Sequence, residues 1–208
     1  MNPHLMIVAL ALCYILIMAG MSLARREGLS NQFAFEVLGF TALAEAGSWL
    51  SGTIISPILF LVVLYLVSMR GRLLVDLGAL LSARGRQRDA ISVMQLALRL
   101  YPDRATRLIT LVNVGIVQLR RQNPASAERM LRAVLDEAGQ KGGLGAKYES
   151  ACYYHLGLAC QRQDKLAEAV GHFNRAIEAL PASIYARAAE RALEQRRRGK
   201  DRGGQPAG

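Results

Sequence analysis

The sequence predicts an all-α protein in which a pair of membrane-spanning helices precedes a stack of helix pairs. Two long uncharged apolar runs near the N-terminus suggest the membrane part. Later segments repeat apolar residues at helical spacing, which predicts an α-solenoid of three repeats and a C-terminal capping helix. The composition agrees, since 52% of the 208 residues are hydrophobic. We therefore divide the chain into a membrane anchor (1–70), a repeat domain (71–198) and a disordered tail (199–208).

The first apolar run, residues 5–24, contains no charged residue. Its length is sufficient to cross a hydrocarbon core of about 30 Å, so we predict a membrane span. A cleaved signal peptide is the alternative, and the small residue Ala24 at the end of the run fits it. The absence of Lys or Arg before the apolar core argues against that alternative.

Residues 25–49 form a predicted linker, and its apolar second half suits a position along the membrane surface. Trp49 stands where an interfacial aromatic residue is expected, just before the second uncharged run. We predict a second span at about 50–69, with Pro57 near its start, where a missing backbone donor is tolerated. A core helix of a soluble protein is the alternative.

Arginine residues beside the two runs predict the orientation of the anchor. The chain after the second run carries Arg70, Arg72 and three further Arg residues up to position 88, whereas the linker has only Arg25 and Arg26. This bias places the repeats in the cytoplasm, the N-terminus on the same side and the linker outside. Arg25 and Arg26, directly after the first span, argue against this hairpin. The expected localisation is a multi-pass membrane protein.

Residues 150–183 carry the most specific pattern in the chain. Residue types recur at fixed offsets, namely at Tyr153, Leu156, Gly157, Ala169, Phe173, Ala176 and Pro181. The pattern resembles a tetratricopeptide repeat, with Cys160 as the one departure. The resemblance implies two antiparallel helices that cross closely at Gly157 and Ala169, with Phe173 between them and Pro181 ending the second helix.

Two further segments fit the same register. Residues 71–104 match around Gly78, with Met94 in place of the usual aromatic residue, and residues 108–141 match more weakly around Gly115. Asn123 and Pro124 form a good helix start inside the weaker repeat. We expect a flexible loop at 139–145 and a polar-backed capping helix at 183–198.

The resemblance implies a binding scaffold rather than a catalyst, because the first helices of such repeats line a groove for a partner. The groove positions of this chain are Val75, Ala79, Ile109, Val112, Ile116, Tyr154 and Leu158. The Lys, Arg and Asn residues with which some members hold an acidic peptide tail do not occur at these positions. We therefore expect a hydrophobic helix or extended peptide, or another part of the same assembly, in the groove. Packing between helices is the alternative role for these residues.

Two basic clusters account for part of the net charge of +10. They comprise Arg84, Arg86 and Arg88 near the anchor, and Arg196, Arg197 and Arg198 near the C-terminus. A solvated face is the default interpretation, and attraction to anionic membrane lipids is the next. Nucleic acid is the least favoured partner, because no stacking aromatic residues are interleaved with the Arg residues.

No nucleophile motif, phosphate loop or metal-ligand spacing such as CxxC occurs, so we predict no enzyme, no metal and no cofactor. His155, Asp76 and Asn113 occupy equivalent places in the three repeats, which suggests a solvated or capping polar column rather than a catalytic one. The sequence therefore predicts a membrane-anchored, non-catalytic scaffold that binds another protein. A small structural subunit or assembly factor of a membrane complex is the alternative.

Overall fold

A computed structural model describes residues 3–24 and 31–203, with side-chain surroundings for 4–24 and 31–198. This part of the chain contains only α-helices as regular elements. They are α1 (Pro3–Ala24), α2 (Asn31–Ser51), α3 (Pro57–Ser68), α4 (Arg70–Ala83), α5 (Gln87–Arg99), α6 (Arg104–Arg120), α7 (Pro124–Lys141), α8 (Ala146–Gln161), α9 (Leu166–Ala179) and α10 (Ile184–Gly203).

Helices α1, α2 and α3 pack together as an N-terminal unit. Helix α2 runs back along α1, because Phe33 near its start lies beside Tyr14, and Glu45 near its end accepts a hydrogen bond from His4. Buried apolar side chains at the centre of the unit come from all three helices: Ile7, Ala11, Val37, Phe60 and Leu64. The unit therefore has a small core of its own.

The predicted linker at 25–49 is wrong for its greater part, since residues 31–49 belong to α2. Apolar residues at Phe33, Val37, Phe40 and Ala44 recur at intervals of three and four, so they share one face of a helix. That face packs into the core of the N-terminal unit. Residues 25–30 lie outside the described residues.

The predicted second span at about 50–69 is not a continuous helix. The chain leaves the helical conformation after Gly52, whose φ is +64°, and α3 begins only at Pro57. At 12 residues α3 is about 18 Å long, which is shorter than a hydrocarbon core. The chain bends by 64° between α3 and α4. A second span therefore exists only if α3 and α4 together are counted as one bent span. The two-span hairpin is therefore not supported.

Among the residues that the structure describes, α1 is the one single helix that is long and apolar enough to cross a membrane. The candidate span runs over His4–Ala24. Only 11% of its apolar window is buried inside the protein. A core helix of a soluble protein would be mostly buried. A signal sequence at this position would pass the same test of length and composition.

Helices α4 to α9 form three antiparallel pairs, α4 with α5, α6 with α7 and α8 with α9, and each pair packs against the next. Each pair crosses at a glycine in its first helix. A Cβ atom on Gly78, Gly115 or Gly157 would lie 2.6–2.9 Å from the side chain of Met94, Leu131 or Phe173 in the second helix. Glycine therefore permits the close packing that the sequence pattern predicts.

The two turns around α7 show how local sequence sets the helix ends. The Asn123 side chain accepts a hydrogen bond from the Ser126 amide, and Pro124 is the first residue of α7, which confirms the predicted helix start. Helix α7 continues to Lys141, so the loop before α8 is shorter than expected. Leu144 of this loop is buried in the largest apolar cluster of the repeats, which we call the main core and which includes Leu108, Leu131, Leu156 and Phe173. Arg104 donates to the carbonyls of Lys141 and Glu137 at the end of α7.

Helix α10 packs against α8 and α9 and buries Ala186 and Ala189. The hydroxyl of Ser183 accepts a hydrogen bond from the Ala186 amide, which caps the start of the helix. Helix α10 extends to Gly203, so residues 199–203 of the predicted disordered tail belong to this helix. Residues 204–208 lie outside the described part of the chain.

A polar junction joins the N-terminal unit to the first helix pair. Arg70 at the start of α4 donates to both carboxylate oxygens of Glu36 in α2, at 2.6 and 3.0 Å, and to the carbonyl of Leu100. Gln32 donates to the carbonyl of Tyr101 at 2.7 Å. The start of α2 is therefore tied both to α4 and to the turn between α5 and α6.

Candidate partner-binding face

The first helices of the three pairs, α4, α6 and α8, contact one another in series, and α10 continues the row. This row, which we call the inner face, carries the predicted groove residues. Val75, Ile109 and Val112 expose at most 4% of their surface, so the structure buries them rather than lining a groove with them. Val75 and Ile109 pack with Ala97 and Tyr148. The alternative of packing between helices holds for these three.

The other four predicted groove residues, Ala79, Ile116, Tyr154 and Leu158, are half-buried. Ile116, Tyr154 and Leu158 border the main apolar core. The Tyr154 ring lies 6.0 Å from the ring of Phe173 and 6.2 Å from that of Tyr185, the latter in α10. The part of the predicted groove that reaches the surface is therefore aromatic at its α8–α10 end and aliphatic towards α6 and α4.

The three polar residues of the inner face do not form one site. Asp76 is exposed, whereas the Asn113 amide donates to the Ile109 carbonyl of its own helix. His155 packs against Tyr154 and Tyr185, and its buried Nδ1 has no hydrogen-bond partner among the described residues. Burial, together with the smaller effects of Arg120 and Arg162, lowers the pKa of His155 to about 4. His155 is therefore neutral at physiological pH.

A cavity of about 550 Å³ lies at one end of the inner face, between the N-terminal unit and the repeats. Its walls come from the second half of α1, the start of α2, the α3–α4 bend and the turn before α6. Val75 and Ile109 reach it from the repeats, and Met18 reaches it from α1. Sequence patterns do not reveal this cavity, because it depends on how the N-terminal unit sits against the repeats.

The predicted basic residues are all exposed. Arg84, Arg86 and Arg88 lie at the turn between α4 and α5, where Arg86 pairs with Asp89 at 2.6 Å. Arg196 in α10 donates to the Leu166 carbonyl at 2.9 Å. The first cluster thus lies in the α4–α5 pair and the second in α10, and Arg86 and Arg196 each make a contact within the protein.

A charged network around Glu128 joins the second and third pairs. The Glu128 carboxylate in α7 accepts hydrogen bonds from Lys165 at 2.8 Å, from Gln163 at 2.7 Å and from Arg132 at 3.0 Å. Burial would raise the pKa of this carboxyl, but the three donors outweigh burial and lower the pKa from 4.5 to about 2. Glu128 is therefore a fixed anion that holds the α8–α9 turn against α7.

Sequence reasoning missed a cluster beside this network. Cys160 in α8 and Glu168 and His172 in α9 bring three potential ligand atoms within 4.8 Å of one another. The spacing of these residues along the chain matches no metal motif, and the helix crossing alone brings them together. The departure of Cys160 from the repeat pattern is the one sequence signal at this place.

Comparison with known proteins shows which family the second and third helix pairs resemble. Residues 106–182 match the family model described as tetratricopeptide repeat, which covers just over a third of the chain. The matched segment contains most of α6, all of α7, α8 and α9, and the Gly115 and Gly157 crossings. No curated protein matches the chain. The second and third helix pairs are therefore similar to tetratricopeptide repeats, and the first pair, α4 with α5, has the same antiparallel arrangement outside the matched segment.

Proposed function

We propose that the protein is a membrane-anchored scaffold whose repeats bind another protein through the inner face. The observation that carries the proposal is the division of the chain into two parts with different surfaces. The N-terminal unit exposes most of its large apolar side chains, whereas the two helix pairs α6–α7 and α8–α9 bury most of theirs and resemble a family that binds proteins. Among the described residues no side-chain constellation supports an enzyme, and we propose a non-catalytic role.

Membrane attachment rests on the surface of the N-terminal unit. Leu16 and Ile17 of α1, Phe35 and Leu43 of α2 and Ile58 of α3 each expose more than 60% of their surface. Isolated apolar side chains are common on soluble proteins, but strongly exposed ones on all three helices of one unit indicate contact with lipid or with another protein. Helix α1 has the length and composition to be the span.

A span through α1, with α2 and α3 packed along it, also gives a consistent orientation. Arg25 and Arg26 follow α1 directly in the sequence, and the further Arg residues from Arg70 onward lie on the same side of it in the chain. The positive-inside rule then places all of them, and the repeats, in the cytoplasm, with the N-terminus outside. The conflict that Arg25 and Arg26 create in the two-span hairpin disappears in this arrangement.

The exposed part of the inner face is the proposed binding surface. Ile116, Tyr154 and Leu158 reach the surface from α6 and α8, and Tyr185 of α10 lies beside Tyr154. Half-buried aromatic and aliphatic side chains of this type are the usual anchors of an interface. The chemistry favours a partner that contributes an apolar helix or an extended apolar peptide.

The second candidate is a structural subunit or assembly factor of a membrane complex. The observation that favours it is α2, whose Trp49 and Leu50 are more than 80% exposed although the helix contains Glu36 and Glu45 and is not apolar enough for a span. Other membrane helices would cover these side chains in such a complex. Binding of anionic lipid or nucleic acid by the exposed Arg residues is less favoured.

Crosslinking in native membranes tests the proposed function. We expect Tyr154→Ala, in protein shown by circular dichroism to remain helical, to abolish recovery of the crosslinked partner. Neutralising Arg196, Arg197 and Arg198 together should leave recovery unchanged, because charges outside the contact mainly alter the salt dependence of binding. The opposite result, with the Arg residues required and Tyr154 dispensable, would refute binding through the inner face and favour an anionic lipid or nucleic acid.

A further inference from the structure

Cys160, Glu168 and His172 meet where α8 crosses α9. Cys160 lies in the last turn of α8, and Glu168 and His172 are four residues apart in α9, so their side chains leave the same side of that helix. The Cys160 Sγ, a carboxylate oxygen of Glu168 and one ring nitrogen of His172 all lie within 4.8 Å of one another. Three side chains with different donor atoms thus converge on one point.

We propose that these three side chains bind a transition-metal ion of the Zn²⁺ class. Thiolate sulfur, imidazole nitrogen and carboxylate oxygen are the donors that Zn²⁺ takes in proteins. Bond lengths of about 2.0–2.3 Å place the ligands of a tetrahedral ion roughly 3–4 Å apart. The three atoms therefore need only a small rotation of their side chains to close on an ion. The fourth position remains for water or for a ligand from a partner.

A second observation points to a ligand at the same place. Nδ1 of His172 is buried and has no hydrogen-bond partner among the described residues, and the residue exposes only 9% of its surface. Buried polar atoms nearly always have a partner, so this atom calls for one that the protein chain itself does not supply. The Cys160 thiol is fully buried and free. An ion bound through Nδ1 of His172 and Sγ of Cys160 would give both atoms a partner.

The ion pairs of Glu168 leave it able to turn to an ion. Arg132 donates to Glu168 at 2.5 Å and also to Glu128, so it keeps an acidic partner if Glu168 turns to the metal. The ion displaces the proton of the Cys160 thiol, so that a metal–sulfur bond forms, the S–H bond breaks and one proton goes to solvent. The thiolate, the Glu168 carboxylate and a neutral imidazole then balance the two positive charges of the ion.

Titration of the full-length protein in detergent, after removal of metals by a chelator, tests the site. We expect one Co²⁺ per chain to produce thiolate-to-cobalt charge-transfer absorption in the near ultraviolet, and added Zn²⁺ to abolish it by displacement. Cys160→Ala and His172→Ala should eliminate this absorption. Glu168→Gln, at an exposed position, should weaken Co²⁺ binding at least about tenfold.

The chain offers matched controls for each ligand. Cys152 is as deeply buried as Cys160 in the same helix, and Cys13 is the third cysteine, so Cys152→Ala and Cys13→Ala should leave the cobalt absorption intact. His155→Ala should do the same. The proposal is overturned if the unmodified protein shows no thiolate absorption with Co²⁺. It is equally overturned if the absorption survives Cys160→Ala, a result that does not depend on how stable the variants are.

Discussion

The ring of Phe173 lies directly over Gly157, so that a methyl group on Gly157 would fall 2.6 Å from Cε1 of that ring. Glycine is the one residue that permits this crossing of α8 and α9, because the Phe173 ring is stiff and 96% buried. The contact joins the two helices of the segment with the most specific sequence pattern in the chain. A substitution at this contact therefore tests whether the sequence is correctly aligned to the repeat pattern.

We expect Gly157→Ala to destabilise the repeats by about 1–3 kcal/mol, because the added methyl group displaces Phe173 from its place in the core. Gly171→Ala is the matched control, since a Cβ atom on this α9 glycine meets nothing within 4 Å. Alanine has the higher helix propensity, so the control should be neutral or stabilising by up to about 1 kcal/mol. Urea denaturation followed by circular dichroism measures both changes. Equal stabilities of the two variants would refute the crossing at Gly157.

The Glu128 network should make stability depend on pH. The folded-state pKa of Glu128 is about 2, below the ordinary 4.5, so its contribution is complete above pH 4.5 and is lost as the pH falls towards 2. In Glu128→Gln the melting temperature should be lower at neutral pH, and the difference from the unmodified protein should shrink in acid. The exposed Glu178 provides the control Glu178→Gln, which should change neither quantity. A constant difference across this pH range would contradict the network.

The Glu36–Arg70 pair should control how firmly the N-terminal unit is held against the repeats. Glu36→Gln replaces the charged hydrogen bonds with weaker ones, so amide hydrogen exchange should accelerate in the first turn of α4 and around Leu100. Exchange in α8 and α9 should not change. Asp89→Asn, which removes the exposed pair with Arg86, is the control and should leave the junction as it was. Faster exchange throughout the repeats in Glu36→Gln would instead indicate a global loss of stability.

Membrane attachment through α1 predicts that the protein remains with membranes through high-salt and alkaline washing. Leu12→Arg, at an exposed position near the middle of α1, adds a charge that costs about 2.5–3.5 kcal/mol in a span and should release the protein. The intact mass should include residues 1–24, which distinguishes a retained span from a cleaved signal peptide. Alkaline release of the unmodified protein would contradict the anchor.

Much of the repeat domain was predictable because its fold depends on short-range patterns. The glycine at each crossing, the Asn123–Pro124 helix start and the aromatic residue opposite Gly157 are all legible in the sequence. The groove was less predictable. Val75 and Ile109 stand at positions that line the groove in the family that the sequence resembles. Tyr148 and Ala97 cover them in this structure, and the extent of that cover depends on how the helix pairs stack.

The N-terminal unit escaped prediction for a different reason. Apolar content alone suggested spans, and it hid the helical periodicity of α2 at Phe33, Val37 and Phe40. Gly52 and Pro57 interrupt the second run, but a proline near the start of a run is also compatible with a continuous span. The Cys160 cluster could not be found from spacing, because its ligands come from two helices that a tertiary crossing brings together.

The central claim, a membrane-bound scaffold that holds a protein on its inner face, is tested most directly by site-specific photocrosslinking in salt-washed membranes. A photoreactive residue at Ile116 should capture one discrete protein, whereas the same residue at the exposed Asn174 of α9 should capture none. Tyr154→Ala, in the same chain, should abolish the adduct from position 116. The account is contradicted if position 174 yields the adduct and position 116 does not, or if the adduct at 116 persists without the Tyr154 side chain.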